Sequence, residues 1–154
     1  MNKQQRRLRI AQLDGQINSY QHLRDQLPPE KGWLHAIRTA IGMSFRQFGN
    51  KLGVSPQAAK KIELREEHGA LTIGGLQEAA AALELQFVYA LIPKEGSLEK
   101  MIEQRANALA REIVLKTAHT MELEDQGLDQ QALRLAVEDR ATEIMRNLPK
   151  QLWE

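Results

Sequence analysis

Gln57, Lys60, Lys61 and Arg65 stand within LGVSPQAAKKIELR, residues 52–65, spaced three, one and four apart. At 100° per helical residue this spacing gathers all four on one side of a helix. The chemistry they could do together is the reading of base edges in a DNA major groove. A glutamine amide pairs with adenine in bidentate fashion, and lysine or arginine pairs with guanine. Ala59 and Ile62 lie about 60° apart on the opposite side and are expected to face a core. Ser44 and Ser55 each precede a helix start, where hydroxyl and free amides suit a phosphate. Arg46, Gln47 and Lys51 are placed to add backbone contacts. Glu63 is the odd acid in this basic stretch, and its expected role is internal, paired with Arg38.

Other candidate chemistry is sparse. His119 and Glu122 are three apart on one helix, but two metal ligands without a third define no site, and packing or solvation explains them more simply. RRLR, residues 6–9, reads first as a helix surface, with a DNA-reaching arm and a partner-binding face as the alternatives. No glycine-rich phosphate loop and no serine–histidine–acid set is present, so no catalysis and no cofactor are expected. The 154 residues contain no cysteine, which rules out disulfides and thiolate metal sites and fits a reducing cytoplasm. No apolar run approaches the roughly 20 residues that span a bilayer. The net charge of +1 conceals a gradient: residues 1–68 hold 12 Lys and Arg against 6 Asp and Glu, whereas residues 94–154 hold 9 against 12. The basic front is the natural partner of a polyanion.

The elements that must position these groups follow from caps and breakers. Residues 3–26 form a helix with the seam Ile10, Leu13, Ile17, Tyr20 and Leu27, stopped by Pro28 and Pro29. A second helix covers residues 31–41, with Trp33, Leu34 and Ile37 on one side. Ser44 caps a helix running to Leu52, and Gly53 breaks the chain. Ser55 caps the next, with Pro56 at the first helical position, where its missing N–H costs nothing. Gly69 ends that helix, and Thr72 caps an alanine-rich one. LQFVYALIP, residues 85–93, has no charge and many β-formers, and predicts a strand that needs a partner. A long helix from about residue 98 to Asp125 follows, with Leu98, Met101, Ile102, Leu109, Ile113 and Met121 on its apolar side. Gly127 ends it, and Asp129 caps a last helix. The expected organisation is an N-terminal helix (1–30), a helix-turn-helix domain with a terminal strand (31–93) and a C-terminal helical pair (94–154), an all-α fold with one short β-strand.

The two short helices around Gly53 meet the demands of a helix-turn-helix. Phe48 and Leu52 point inward, Gly49 is small where the second helix crosses, and Val54 is expected to plug the gap. The stretch GMSFRQFGNKLGVSPQAAKKIE with Leu71–Leu85 resembles the phage-repressor/Cro class (XRE type). Two departures stand out: Phe45 replaces the glutamine common after the serine, and Gly49 stands where alanine is common. LTIGGLQEAAAALELQFVYALIP, HTMELEDQ and the closing QLWE are similar to the mobile mystery protein A family.

That resemblance implies a lambda-repressor-like core and an antitoxin-like role beside a Fic-domain partner, with repression of a shared operon. Inhibitors of Fic enzymes carry Ser or Thr, three residues, then Glu followed by Gly or Asn. Thr120 and Glu124 fit this pattern, and Asp125 departs from it, so a solvated helix face is the competing reading. The expected function is a sequence-specific transcriptional repressor that binds operator DNA as a homodimer. One recognition helix reads few bases, whereas a twofold pair matches a palindrome. The dimer seam is either the strand or the C-terminal helices. The alternative function is a protein-interaction inhibitor of a toxin, with DNA binding secondary or lost.

Overall fold

The structure, a computed structural model, describes residues 1–123 and 129–154. Among the described residues the chain is all-α: α1 (Lys3–Asn18), α2 (Trp33–Ala40), α3 (Phe45–Leu52), α4 (Pro56–Glu67), α5 (Ile73–Ala82), α6 (Leu98–Leu123) and α7 (Gln130–Asn147). Short 3₁₀ turns occupy Gln21–Leu23 and Lys150–Trp153. The strand expected over residues 85–93 is not formed. Its backbone makes no ladder bond among the described residues, because a single copy supplies no second strand to pair with. Contacts divide the chain into two units, Asp25–Tyr89 and Met1–Arg24 with Ala90–Glu154.

In the unit Asp25–Tyr89, Leu34, Phe48, Ala59, Ala79 and Leu83 form the core, flanked by Met43, Phe45, Leu52, Ile62 and Leu71. Phe48 is fully buried and is the largest such side chain. The helix starts are built as the caps require. Ser44 and Gln47 form a reciprocal capping box on α3, Ser55 Oγ accepts the Ala58 N–H at 3.1 Å, and Thr72 Oγ1 accepts that of Gly75 at 3.0 Å. Each satisfies an amide that the helix itself leaves open. α2 has no cap of its own, since Gly32 precedes it. Glu66 of α4 supplies one instead: its carboxylate accepts the N–H groups of Trp33 and Leu34, both at 2.8 Å. A negative charge at a helix N-terminus also suits the dipole. α5 closes with Leu85 N–H donating to Ala80 carbonyl at 2.8 Å, which places Glu84 in the left-handed region (φ 61°) that glycine would occupy more readily.

In the other unit α6 and α7 pack through Ile102, Ala106, Ala110, Ala141 and Ile144, with Leu152 from the tail. The paired alanines permit close approach of the two helices, and their burial was not legible from the larger apolar side chains of α6. Asp129 caps α7 as expected, accepting the Ala132 N–H. α1 ends at Asn18 instead of continuing to residue 26. Asn18 and Ser19 are poor helix formers, and Tyr20 N–H turns back to the Ile17 carbonyl at 2.9 Å. Ile10 of the predicted seam packs on the α6–α7 core, whereas Leu27 is 90% exposed. α1 is tied down mainly by polar links. Asp14 accepts the N–H groups of Leu98 (2.7 Å) and Glu99 (3.1 Å), capping α6, and Lys3 Nζ donates to Asn147 Oδ1 at 2.7 Å.

Candidate nucleic-acid interface

The turn between α3 and α4 is tight for a reason visible at Gly49. A Cβ added there would stand 2.7 Å from the Val54 carbonyl oxygen and 3.1 Å from that of Ser55. An alanine at this position therefore does not fit this turn. Gly53 turns the chain in the left-handed conformation (φ 69°) and ends α3. Val54 is 37% exposed and does not plug the gap between the helices, since bare backbone at Gly49 already closes it. Gly49→Ala is expected to destabilise the unit Asp25–Tyr89 by about 1–3 kcal/mol through overpacking. The intrinsic gain in helix propensity, up to ~1 kcal/mol, does not offset this. Urea unfolding measures the sign, and an unchanged or higher midpoint would contradict the close approach.

α4 is fixed from beneath by an ion pair. Arg38 of α2 donates through Nε to Glu63 Oε1 and through Nη2 to Glu63 Oε2 at 3.2 Å, with both residues buried. The pairing expected from the sequence is thus present. Arg38 also donates to the Met43 carbonyl at 2.7 Å, and its guanidinium lies 3.9 Å from the centroid of Phe45. His35 Nδ1 stands 3.2 Å from Glu63 Oε2. Phe45 lays its ring against the Arg38 side of this pair. Together with Glu66 reaching α2, these contacts orient α4 against α2.

Ala59 is fully buried and Ile62 half-buried, as the spacing requires. Gln57, Lys60, Lys61 and Arg65 are all exposed on the other side of α4. None of the four side chains has a hydrogen-bond or ionic partner among the described residues. Two further residues share this side and were passed over in the sequence. Leu64 is 42% exposed in the middle of the polar arc. The spacing of seven from Gln57 was the available signal, and an apolar group there can meet a thymine methyl. His68 Nδ1 lies 2.7 Å from the Leu64 carbonyl, and the ring borders a shallow depression with Lys61, Leu64 and Arg65.

The expected phosphate contacts divide. Arg46 is exposed and without a side-chain partner. Gln47 commits its Oε1 to the Ser44 N–H at 2.8 Å and to the Ser44 hydroxyl at 3.0 Å, which leaves its amide nitrogen as donor. Ser55 Oγ accepts from Ala58, so its hydroxyl proton is free to donate outward. Lys51 Nζ stands 3.4 Å from Glu84 Oε1, a surface pair of small value that a phosphate would displace. Most of the basic excess of residues 1–68 lies outside this unit, since residues 1–24 hold 5 Lys and Arg against 1 Asp. Residues 25–89 hold 7 Lys and Arg against 7 Asp and Glu, and the arginines of RRLR lie on α1 of the other unit.

On α6, the Thr120 hydroxyl donates to the Lys116 carbonyl at 3.1 Å. Glu124, its expected partner in an inhibitory motif, lies outside the described residues, as do Asp125, Gly127 and the side chain of Glu122. No group of three or more potential metal ligands occurs among the described residues. No helix described is long and apolar enough to cross a membrane. Comparison with protein-family models, with curated proteins and with solved structures returned no match.

Proposed function

We propose that the chain is a sequence-specific DNA-binding repressor whose reading element is α4, within a helix-turn-helix formed by α3 and α4. The observation that carries this reading is the exposed side of α4. Three cations and one amide stand there without intramolecular partners, while two of the three acids of α4, Glu63 and Glu66, are turned inward onto α2 and Glu67, at its last turn, is exposed. Two carboxylates held inward and ammonium groups left bare is a charge arrangement that suits the base acceptors of a major groove. Gln57, near the start of α4, is the candidate for adenine, and Lys60, Lys61 and Arg65 are candidates for guanine. Arg46, Gln47, Lys51, Ser44 and Ser55 are the proposed phosphate contacts. Palindromic recognition calls for a twofold dimer. The antitoxin role, with a Fic-domain protein as partner, follows from the resemblance to the mobile mystery protein A family, and the chain acts in it as a binding protein.

The charge balance of residues 25–89 favours the second reading in one respect, because a neutral unit gains little long-range attraction to DNA. The experiment that separates the readings is selection of duplexes from a random pool by the full chain, followed by binding at varied salt. A repressor enriches a palindromic site. Lys60→Ala and Lys61→Ala then each relax specificity or, where the lysine meets phosphate, lower the salt slope by about one. A chain that enriches no duplex, or whose binding ignores both substitutions, is not reading DNA with α4.

A further inference from the structure

The segment between α5 and α6 carries an unused strand edge. Residues 86–92 have no backbone hydrogen-bond partner among the described residues, on either N–H or carbonyl. Seven consecutive peptide groups without a protein partner, in an uncharged stretch of β-formers, LQFVYALIP, are a template for pairing with another strand. The Phe87 and Tyr89 rings stack, with centroids 5.7 Å apart and planes at 16°. Residues two apart on one side is the repeat of a pleated strand. Val88, Tyr89 and Leu91 are all well exposed.

We infer that this segment pairs antiparallel with the same segment of a second copy, about a twofold axis at Tyr89. The inference rests on the dimeric repressor reading above, and it names the seam. Three observations fix the arrangement. First, the phase of the ladder is set at both ends. Leu85 N–H is already given to Ala80, and Pro93 has no N–H. Odd-numbered residues therefore turn their backbone away from the partner, and Gln86, Val88, Ala90 and Ile92 donate to it. Second, odd residues then form the non-hydrogen-bonded pairs, in which side chains approach most closely. That row is Leu85, Phe87, Tyr89 and Leu91, all large and apolar. Third, the charges that bracket the run are Glu84 and Lys94, each five residues from Tyr89. Centring on Tyr89 brings Glu84 of one copy, left-handed at φ 61° and just outside the ladder, to the end where Lys94 of the other copy lies, on both sides of the axis. A ladder centred on Val88 or Ala90 loses both complementary pairs. A twofold axis makes the pairing antiparallel without further requirement, and the segment is its own complement.

The absence of cysteine makes the test direct on the full chain. Under mild oxidation Tyr89→Cys is expected to give a covalent dimer, since two cysteines at a non-hydrogen-bonded pair are within disulfide reach. Gln86→Cys, placed opposite Ile92 of the second copy, stays uncrosslinked on the same time scale. Amide exchange shows alternating protection at residues 86, 88, 90 and 92. Val88→Pro abolishes the dimer in sedimentation, while replacing Gln57, Lys60 and Lys61 by alanine leaves it intact. Crosslinking strongest at another position overturns the register. A dimer that survives Val88→Pro overturns the seam, and so does protection of these amides that arises only when a different protein is added. A monomer that still enriches an operator sinks the seam and leaves the DNA reading standing. A dimer that enriches no duplex does the reverse.

Discussion

Glu63→Ala is expected to unfold most of the Asp25–Tyr89 unit's margin of stability. The substitution strands Arg38, buried and with two of its donor groups, Nε and Nη2, suddenly unmatched. Removing one member of a buried pair costs about 3–5 kcal/mol, because the remaining charge has lost its counterion and cannot reach water. At roughly 0.05–0.15 kcal/mol per residue, a unit of this size has only ~3–10 kcal/mol to lose. Trp33 on α2 reports the transition by fluorescence once Trp153, which lies in the other unit, is replaced by phenylalanine. The paired replacement Arg38→Met with Glu63→Leu isolates the cause. With both charges gone, most of the loss is expected to return. The residual deficit reflects the Met43 carbonyl and the face of Phe45, which Arg38 also serves. If Glu63→Ala costs less than about 1 kcal/mol, the pair is solvated and cannot be what aligns α4 with α2.

The sequence made this pair legible because Glu63 follows two lysines in a basic stretch, and Arg38 stands on the neighbouring helix. Local chemistry was readable in the same way. The caps at Ser44, Ser55, Thr72 and Asp129 depend on groups within three residues, and all four accept the bonds expected of them. What stayed hidden depends on distant partners. Glu66 capping α2 joins residues 33 and 32 apart, and Asp14 capping α6 joins residues 84 and 85 apart. Neither acid differs locally from a solvated one. Leu148 adopts a left-handed backbone (φ 45°) that its residue type argues against, and its side chain packs on the α6–α7 core. The missing strand shows the same limit from the other side. Composition gives LQFVYALIP its propensity, but a ladder is a property of two strands, and the described residues offer this segment no second one. The candidate interface was largely visible, since exposure on α4 follows from helical spacing. Leu64 escaped because attention to charge passes over an apolar group standing among charges.

Replacing Gln57, Lys60 and Lys61 together by alanine is expected to reduce operator affinity to the level of non-specific duplex, a loss of about 1,000-fold or more. Each good base contact discriminates by about 1–3 kcal/mol, and three lost together exhaust the margin between specific and non-specific binding. The fold does not suffer. All three side chains are exposed and unpartnered, and alanine is the best helix former, so thermal unfolding is expected to move little or upward. That separation makes the result interpretable, because a lost activity with an intact fold belongs to the surface removed. It also divides the two functional readings. On the reading in which the chain doubles as an antitoxin, the variant is expected to lose the operator and still neutralise a Fic-domain protein. If the triple variant holds operator at full affinity, α4 is a solvated helix face. If it loses partner neutralisation while DNA binding persists, the bare cations serve a protein surface, and the acidic groups they meet must be sought on the partner instead of on a phosphate backbone.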